Sequence, residues 1–116
     1  MDNVIETKSF DFSVKSLKFA RMLRKEIGEY ELASQFLCSS TSIGANVSEA
    51  QYAQSRRDFI SKMAIARKEA NEAKYWLKLL VAAEVINEDV AKDLISDVSE
   101  IIRILTSIIK TASDNV

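Results

Sequence analysis

The chain has 116 residues, no proline, two glycines and a 47% apolar fraction, which suits one hydrophobic core and leaves few points where helices would break. Histidine is absent and Cys38 is the single cysteine. That excludes Ser-His-Asp and Cys-His catalysis, zinc sites built from Cys and His, and the Glu-x-x-His di-metal site of helical bundles.

A net charge of −1 supplies no overall field toward nucleic acid or anionic lipid. No apolar run approaches the length that spans a bilayer, so no membrane role is expected. The N-terminal "MDNVIETKSFDF" lacks a signal-peptide core, and a cytoplasmic location is expected. Cys38 cannot form an internal disulfide and is expected to be an inert, half-buried thiol. No enzyme activity, metal or cofactor is expected.

The first ten or so residues show no clear period and read as frayed. A first helix is predicted over 12–27, on the spacing of Phe12, Phe19, Ala20, Leu23 and Ile27, with Gly28 placed as its C-terminal cap. A second is predicted over 30–53. Its centre, "SSTSIGANVSEA", looks like a loop, yet Leu32, Phe36, Ser39, Ile43, Asn46 and Ala50 recur at spacings of 4, 3, 4, 3 and 4 straight through it. The segment therefore reads as helix. A phosphate loop would need a second glycine and a following lysine. Ser40 and Gly44 form a small row beside the stripe, suited to close approach of another helix.

Ser55 with Asp58 marks the start of a third helix, predicted over 56–84. Its stripe of Phe59, Met63, Ala66, Ala70, Ala73, Leu77 and Leu80 is small in the middle, so Ala66 and Ala70 are expected to face Ser40 and Gly44. Asn87 caps a fourth helix, predicted over 88–113, with Glu88 and Asp89 in its first turn. Its apolar residues form two rows, Leu94–Val98–Ile101–Leu105 and Ile95–Ile102–Ile109. Four helices with short connections predict an all-α, antiparallel up-down-up-down four-helix bundle as one domain over 1–116. The second row on the last helix, with Tyr75 and Trp76, predicts a homo-oligomer.

Charge is uneven along the chain. Residues 55–83 carry 7 basic and 3 acidic groups, whereas 84–116 carry 3 basic and 7 acidic. Lys15, Lys18 and Arg21 on the first helix, and Arg56, Arg57, Lys62, Arg67, Lys68 and Lys74 on the third, are candidate phosphate contacts. The competing reading makes them a solvated face or partners for Asp89, Asp93, Asp97 and Glu100 of the fourth helix. Aromatic residues do not interleave with them, so contact would be to backbone phosphate without base reading. Asn46 lies on the second helix's apolar stripe and is expected as a buried amide satisfied by Glu72, with Glu49 close by.

From Tyr30 to Leu80 the chain resembles the four-helix bundle proteins first noticed as products of 23S rRNA intervening sequences. These are related to the accessory variability determinant of diversity-generating retroelements. The residues carrying the resemblance are "TSIGAN" with Glu49-Ala50, "QS" before "DFI", and "KEANEAKYWL". It implies a bundle that assembles into a ring, with pentamers known, and association with RNA or DNA. In the retroelement relatives a reverse transcriptase or other protein partner is implied as well. Cys38, in "FLCS", stands where many relatives carry a basic residue. The alternative is a protein–protein assembly module with no nucleic-acid role.

Overall fold

The computed structural model describes residues 3–114. Helix α1 spans Val4–Met22 and continues as a π-helical turn, Leu23–Ile27. It starts well before position 12, and the expectation of frayed residues is overturned for 3–10 (Met1 and Asp2 lie outside the described residues). Two causes are visible. The Asn3 side chain accepts a hydrogen bond from the Glu6 N–H at 3.2 Å, a cap that satisfies one orphan donor of the first turn. Ile5, Ser9, Phe12, Ser16, Phe19 and Leu23 also form an unbroken buried stripe at spacings of 4, 3, 4, 3 and 4. Ser9 folds its hydroxyl back onto the Glu6 carbonyl, so a polar residue occupies a core position.

The π turn changes the phase of the helix. Its wider winding turns Ile27 away from the stripe, leaving it 43% exposed rather than in the core. Gly28 then closes the helix at φ +81°, with its N–H on the Leu23 carbonyl, a left-handed position that glycine adopts without strain.

Helix α2, Glu31–Ala50, runs without a break through the glycine-bearing segment. The close approach expected there is present, but with a different neighbour. A Cβ placed on Gly44 would meet Ser13 Oγ at 3.2 Å and the Ser9 carbonyl oxygen at 3.4 Å, so Gly44 packs against α1 rather than the alanine row. Ser40, Ala66, Ala70 and Ala73 are all fully buried. Helical spacing shows that α2 has a small face; it does not say which neighbour occupies it.

Helix α3 spans Arg56–Ala82 and helix α4 spans Glu88–Asp114. Ser55 Oγ accepts from the Asp58 N–H at 3.1 Å while Asp58 Oδ2 accepts from the Gln54 N–H at 3.3 Å, the reciprocal arrangement of a capping box. Asn87 Oδ1 accepts from the Val90 N–H. Cross-helix bonds fix the direction of each pair. Asn3 bonds Gln51, Lys62 bonds Glu49, Arg67 bonds Thr106, and Lys8 and Lys15 bond Glu100 and Asp97. Asn3 and Lys62, early in α1 and α3, meet Gln51 and Glu49 at the end of α2, and going from Lys8 to Lys15 along α1 runs back from Glu100 to Asp97 along α4, so these neighbours are antiparallel. Contacts run α1–α2–α3–α4 and back to α1, a four-helix bundle 47 Å long.

The core is sealed by Phe12, Phe36 and Phe19, whose rings meet edge to face at 6.4 and 5.4 Å. Ile95, Ile102 and Ile109 are half-buried and pack against this core, as does Trp76. The second row on α4 is thus largely used inside the subunit. The exposed apolar row lies elsewhere, on α1: Phe10, Val14 and Leu17. Cys38 is exposed rather than half-buried, because it falls opposite the Phe36–Ser40–Ile43 face. Among the described residues no helix is long and apolar enough to cross a membrane.

The Gly44 contact generates a stability prediction. Gly44→Val should destabilise the fold by about 1–3 kcal/mol, since the Ser9 carbonyl is backbone and Ser13 Oγ is tied to it at 3.0 Å. Gly44→Ala should change stability by less than about 1 kcal/mol, as gained helix propensity offsets the contact. Denaturant unfolding of the two variants checks both.

Candidate nucleic-acid interface

Three ion pairs occur among the described residues: Lys8–Glu100 at 3.0 Å, Lys15–Asp97 at 2.8 Å and Lys62–Glu49 at 3.1 Å. The acidic side of α4 therefore serves α1: the competing reading, pairing with α4, describes Lys15 with Asp97, whereas Lys62 of the third helix pairs with Glu49 of α2. Lys15 has its pKa raised by its hydrogen bond to Asp97 and then by that carboxylate's charge. Lys62 is raised in the same way by Glu49. All three pairs are solvated, and such pairs contribute little to stability. Their consequence is positional: Lys15 and Lys62, two of the candidate phosphate contacts, are already engaged.

The remaining bases of α3 are sorted around the helix. Arg67 Nη1 reaches Thr106 Oγ1 of α4 at 3.5 Å, which marks the side of α3 that borders α4. Lys74 and Lys78 follow Arg67 at spacings of 7 and 11, and Arg56 precedes it by 11, so all four share that side. On α4, Arg103 and Lys110 lie 3 before and 4 after Thr106, and Lys92 lies 14 before it. All three bases of α4 thus border the same seam. The carboxylates of α3 lie off that side: Asp58 and Glu69 lie 4 before and 7 after Lys62, the residue paired across to α2, and Glu72 lies 4 after Lys68 on the outer surface. Among the described residues the α4 carboxylates in seam register are Glu88, in the first turn, and Asp114, in the last, one at each end of the helix.

The structure thus brings Arg56, Arg67 and Lys74 onto one seam and adds Lys78, Lys92, Arg103 and Lys110. Arg57 and Lys68 are exposed beside it on the outer surface of α3. Lys18 and Arg21 are exposed on α1, diagonally across the bundle from α3. They cannot join the same surface in one subunit. The α4 bases escape notice in a segment that is acidic overall, yet their spacings of 11 and 7 repeat those of Arg56, Arg67 and Lys74. That match is the signal a helical wheel would expose.

The expected polar core does not form. Asn46 is half-buried and donates its side-chain N–H to the Ser42 carbonyl of its own helix at 2.8 Å. Glu49 and Glu72 are exposed. Asn46 follows the apolar rhythm of α2, but it sits at the edge of the buried face, where a bond within the helix satisfies its amide. Among the described residues no group of three Cys, Asp or Glu side chains is arranged to hold a metal ion.

A family model described as 23S rRNA-intervening sequence protein matches residues 1–107. A crystal structure of a Bacteroides thetaiotaomicron protein, described as of unknown function and from the S23 ribosomal protein family, is similar throughout. It is 45% identical, covers 91% of this chain and 98% of its own, and has a TM-score of 0.90. No curated protein matches the chain.

Glu69 provides a pH test of the charge sorting on α3. Its pKa is raised, chiefly by burial and then by the negative charge of Glu72, against the opposing effect of Lys68. A carboxyl whose folded pKa exceeds its unfolded one opposes folding once ionised, and that penalty grows as pH rises through the folded value. Glu69→Gln should therefore stabilise the protein at neutral pH by under about 0.5 kcal/mol. The gain should vanish in acid, where Glu69 is itself neutral. Thermal unfolding across a pH series reads both limbs.

Proposed function

The chain belongs to the 23S rRNA-intervening sequence protein family, and on that premise we propose that it is a non-catalytic binding protein that holds RNA by its backbone phosphates along the α3–α4 seam. The observation that carries this reading is the row formed by Arg67, Lys74, Lys78, Lys92, Arg103 and Lys110, in which the acids of α4 in register, Glu88 and Asp114, stand only at its two ends. From Arg56 to Lys78 the row extends about 33 Å at the ordinary helical rise. Lysine and arginine in such a row neutralise phosphates and release counterions, which supplies affinity without reading bases. Tyr75, exposed on α3, is paired edge to face with Trp76 at 5.2 Å, and no file of aromatic rings accompanies the bases as a stacking platform requires. An assembly of several copies, as in the ring known from the related proteins, repeats the seam and raises affinity by avidity.

A second reading, a protein–protein assembly module, is favoured by one separate observation: the exposed Phe10, Val14 and Leu17 on α1.

Fluorescence anisotropy with a structured RNA over a salt series tests the first reading. The wild type should bind at low salt and weaken steeply as salt rises. Lys74→Glu combined with Arg103→Glu should weaken binding by at least about tenfold and flatten the log–log salt dependence by roughly one unit per base removed. Lys15→Gln, on the seam between α1 and α4, should leave it unchanged. Absence of binding even at low salt defeats this reading in favour of the assembly module.

A further inference from the structure

The cationic side chains of the α3–α4 seam come from two helices, and their order along the bundle follows from the direction of each. Helix α3 runs with α1, and α4 runs against it. The Arg67–Thr106 bond sets α3 and α4 level at those residues. Counted from that level at about 1.5 Å per residue, Lys110 lies about 6 Å to one side, and Arg103, Lys74, Lys78 and Lys92 lie about 4.5, 10.5, 16.5 and 21 Å to the other. The seam therefore reads Lys110, Arg67, Arg103, Lys74, Lys78, Lys92, in steps of about 4.5 to 6 Å over about 27 Å. On α4 alone the bases stand 11 and 7 residues apart; α3 fills the gaps.

Two properties of this file bear on the form of RNA it fits. It runs nearly straight along a bundle 47 Å long. It is also closed by acids of α4, Glu88 about 27 Å to one side of Arg67 and Asp114 about 12 Å to the other. Each strand of an A-form duplex winds about the duplex axis, so a straight file meets a strand only where the two cross. Most of the file would then face no phosphate. A double helix also carries a charge every 1.7 Å or so of its axis, roughly three times denser than the file. An unpaired strand can be drawn out straight, with one phosphate per nucleotide at roughly 6 Å along its backbone. Each cationic side chain then meets one phosphate, and the nucleobases, with no aromatic file to stack on, face solvent.

We propose that the α3–α4 seam is a track for a single unpaired RNA strand, held over about six nucleotides by one cationic side chain per phosphate, without regard to sequence. This rests on the RNA reading above and narrows it from RNA in general to the single-stranded form.

The test is fluorescence anisotropy at low salt with two labelled probes, an oligouridine of about nine nucleotides and a blunt, GC-rich RNA duplex of about nine base pairs. The oligouridine should bind at least about tenfold more tightly than the duplex. Its log–log salt slope should lie near −4, from about 0.7 for each of roughly six phosphates. Arg103→Glu, in the middle of the file, should weaken the oligouridine by at least about fivefold, and Lys68→Glu, on α3 but outside the file, by less than about twofold. Circular dichroism serves as the fold control for both variants. A duplex that binds as tightly as the oligouridine or more so, or a loss from Lys68→Glu equal to that from Arg103→Glu, overturns the proposal. The RNA reading survives that result if Lys74→Glu with Arg103→Glu still weakens the duplex. Absence of binding by both probes defeats the RNA reading and this proposal together.

Discussion

The bundle depends on how closely α1 approaches α2. At their contact a glycine in one helix meets the backbone of the other, with the Ser9 carbonyl 3.4 Å from where a Cβ would stand. Glycine inside a helix costs about 1 kcal/mol relative to alanine, and the close packing it permits offsets that cost. Ser9 and Ser16 extend the same economy of volume along α1, since both are fully buried and neither projects a long side chain. With α1 seated against α2, its other flank meets α4, where Lys8 and Lys15 find Glu100 and Asp97.

That closure decides where charge remains available. Asp97 and Glu100 of α4 turn toward α1 and are met there, while the bases of α4 turn toward α3 and meet more bases. A chain with net charge −1 therefore carries a concentrated positive seam without a global field. Separation around helices, rather than total charge, creates the surface. Because histidine is absent, the chain lacks the side chain whose ordinary pKa lies nearest neutrality. Ionic strength is accordingly the stronger lever on this seam than pH near neutrality.

Much of the fold was legible in the sequence because it is written in local terms. The caps at Ser55 and Asn87, the glycine at position 28 and the uninterrupted rhythm through Ser39–Ala50 all act within a few residues of themselves. The misreadings share a different cause. Ser9 and Ser16 hid the early start of α1, since a hydrophobic period overlooks a serine that bonds its own helix or is buried for its size. Gly44 announced a close neighbour but not its identity, and Asn46 lay on the right rhythm at the wrong edge of the face. The seam was half legible: Arg56, Arg67 and Lys74 stood out in a basic segment. Lys92, Arg103 and Lys110 were obscured by the acids interspersed among them, which point another way.

The π turn at Leu23–Ile27 has a bearing on the outer side of α1 as well as the inner. Winding more residues into that turn spoils the seven-residue phase on every side of the helix at once, which is why Ile27 leaves the core. The apolar row on the surface meets the same boundary, so its usable stretch closes near Arg21, only about 16 Å beyond Phe10 at the ordinary helical rise. A single widened turn thus works as a ruler, allotting any neighbouring helix a berth of a few turns and stopping an indefinite zipper.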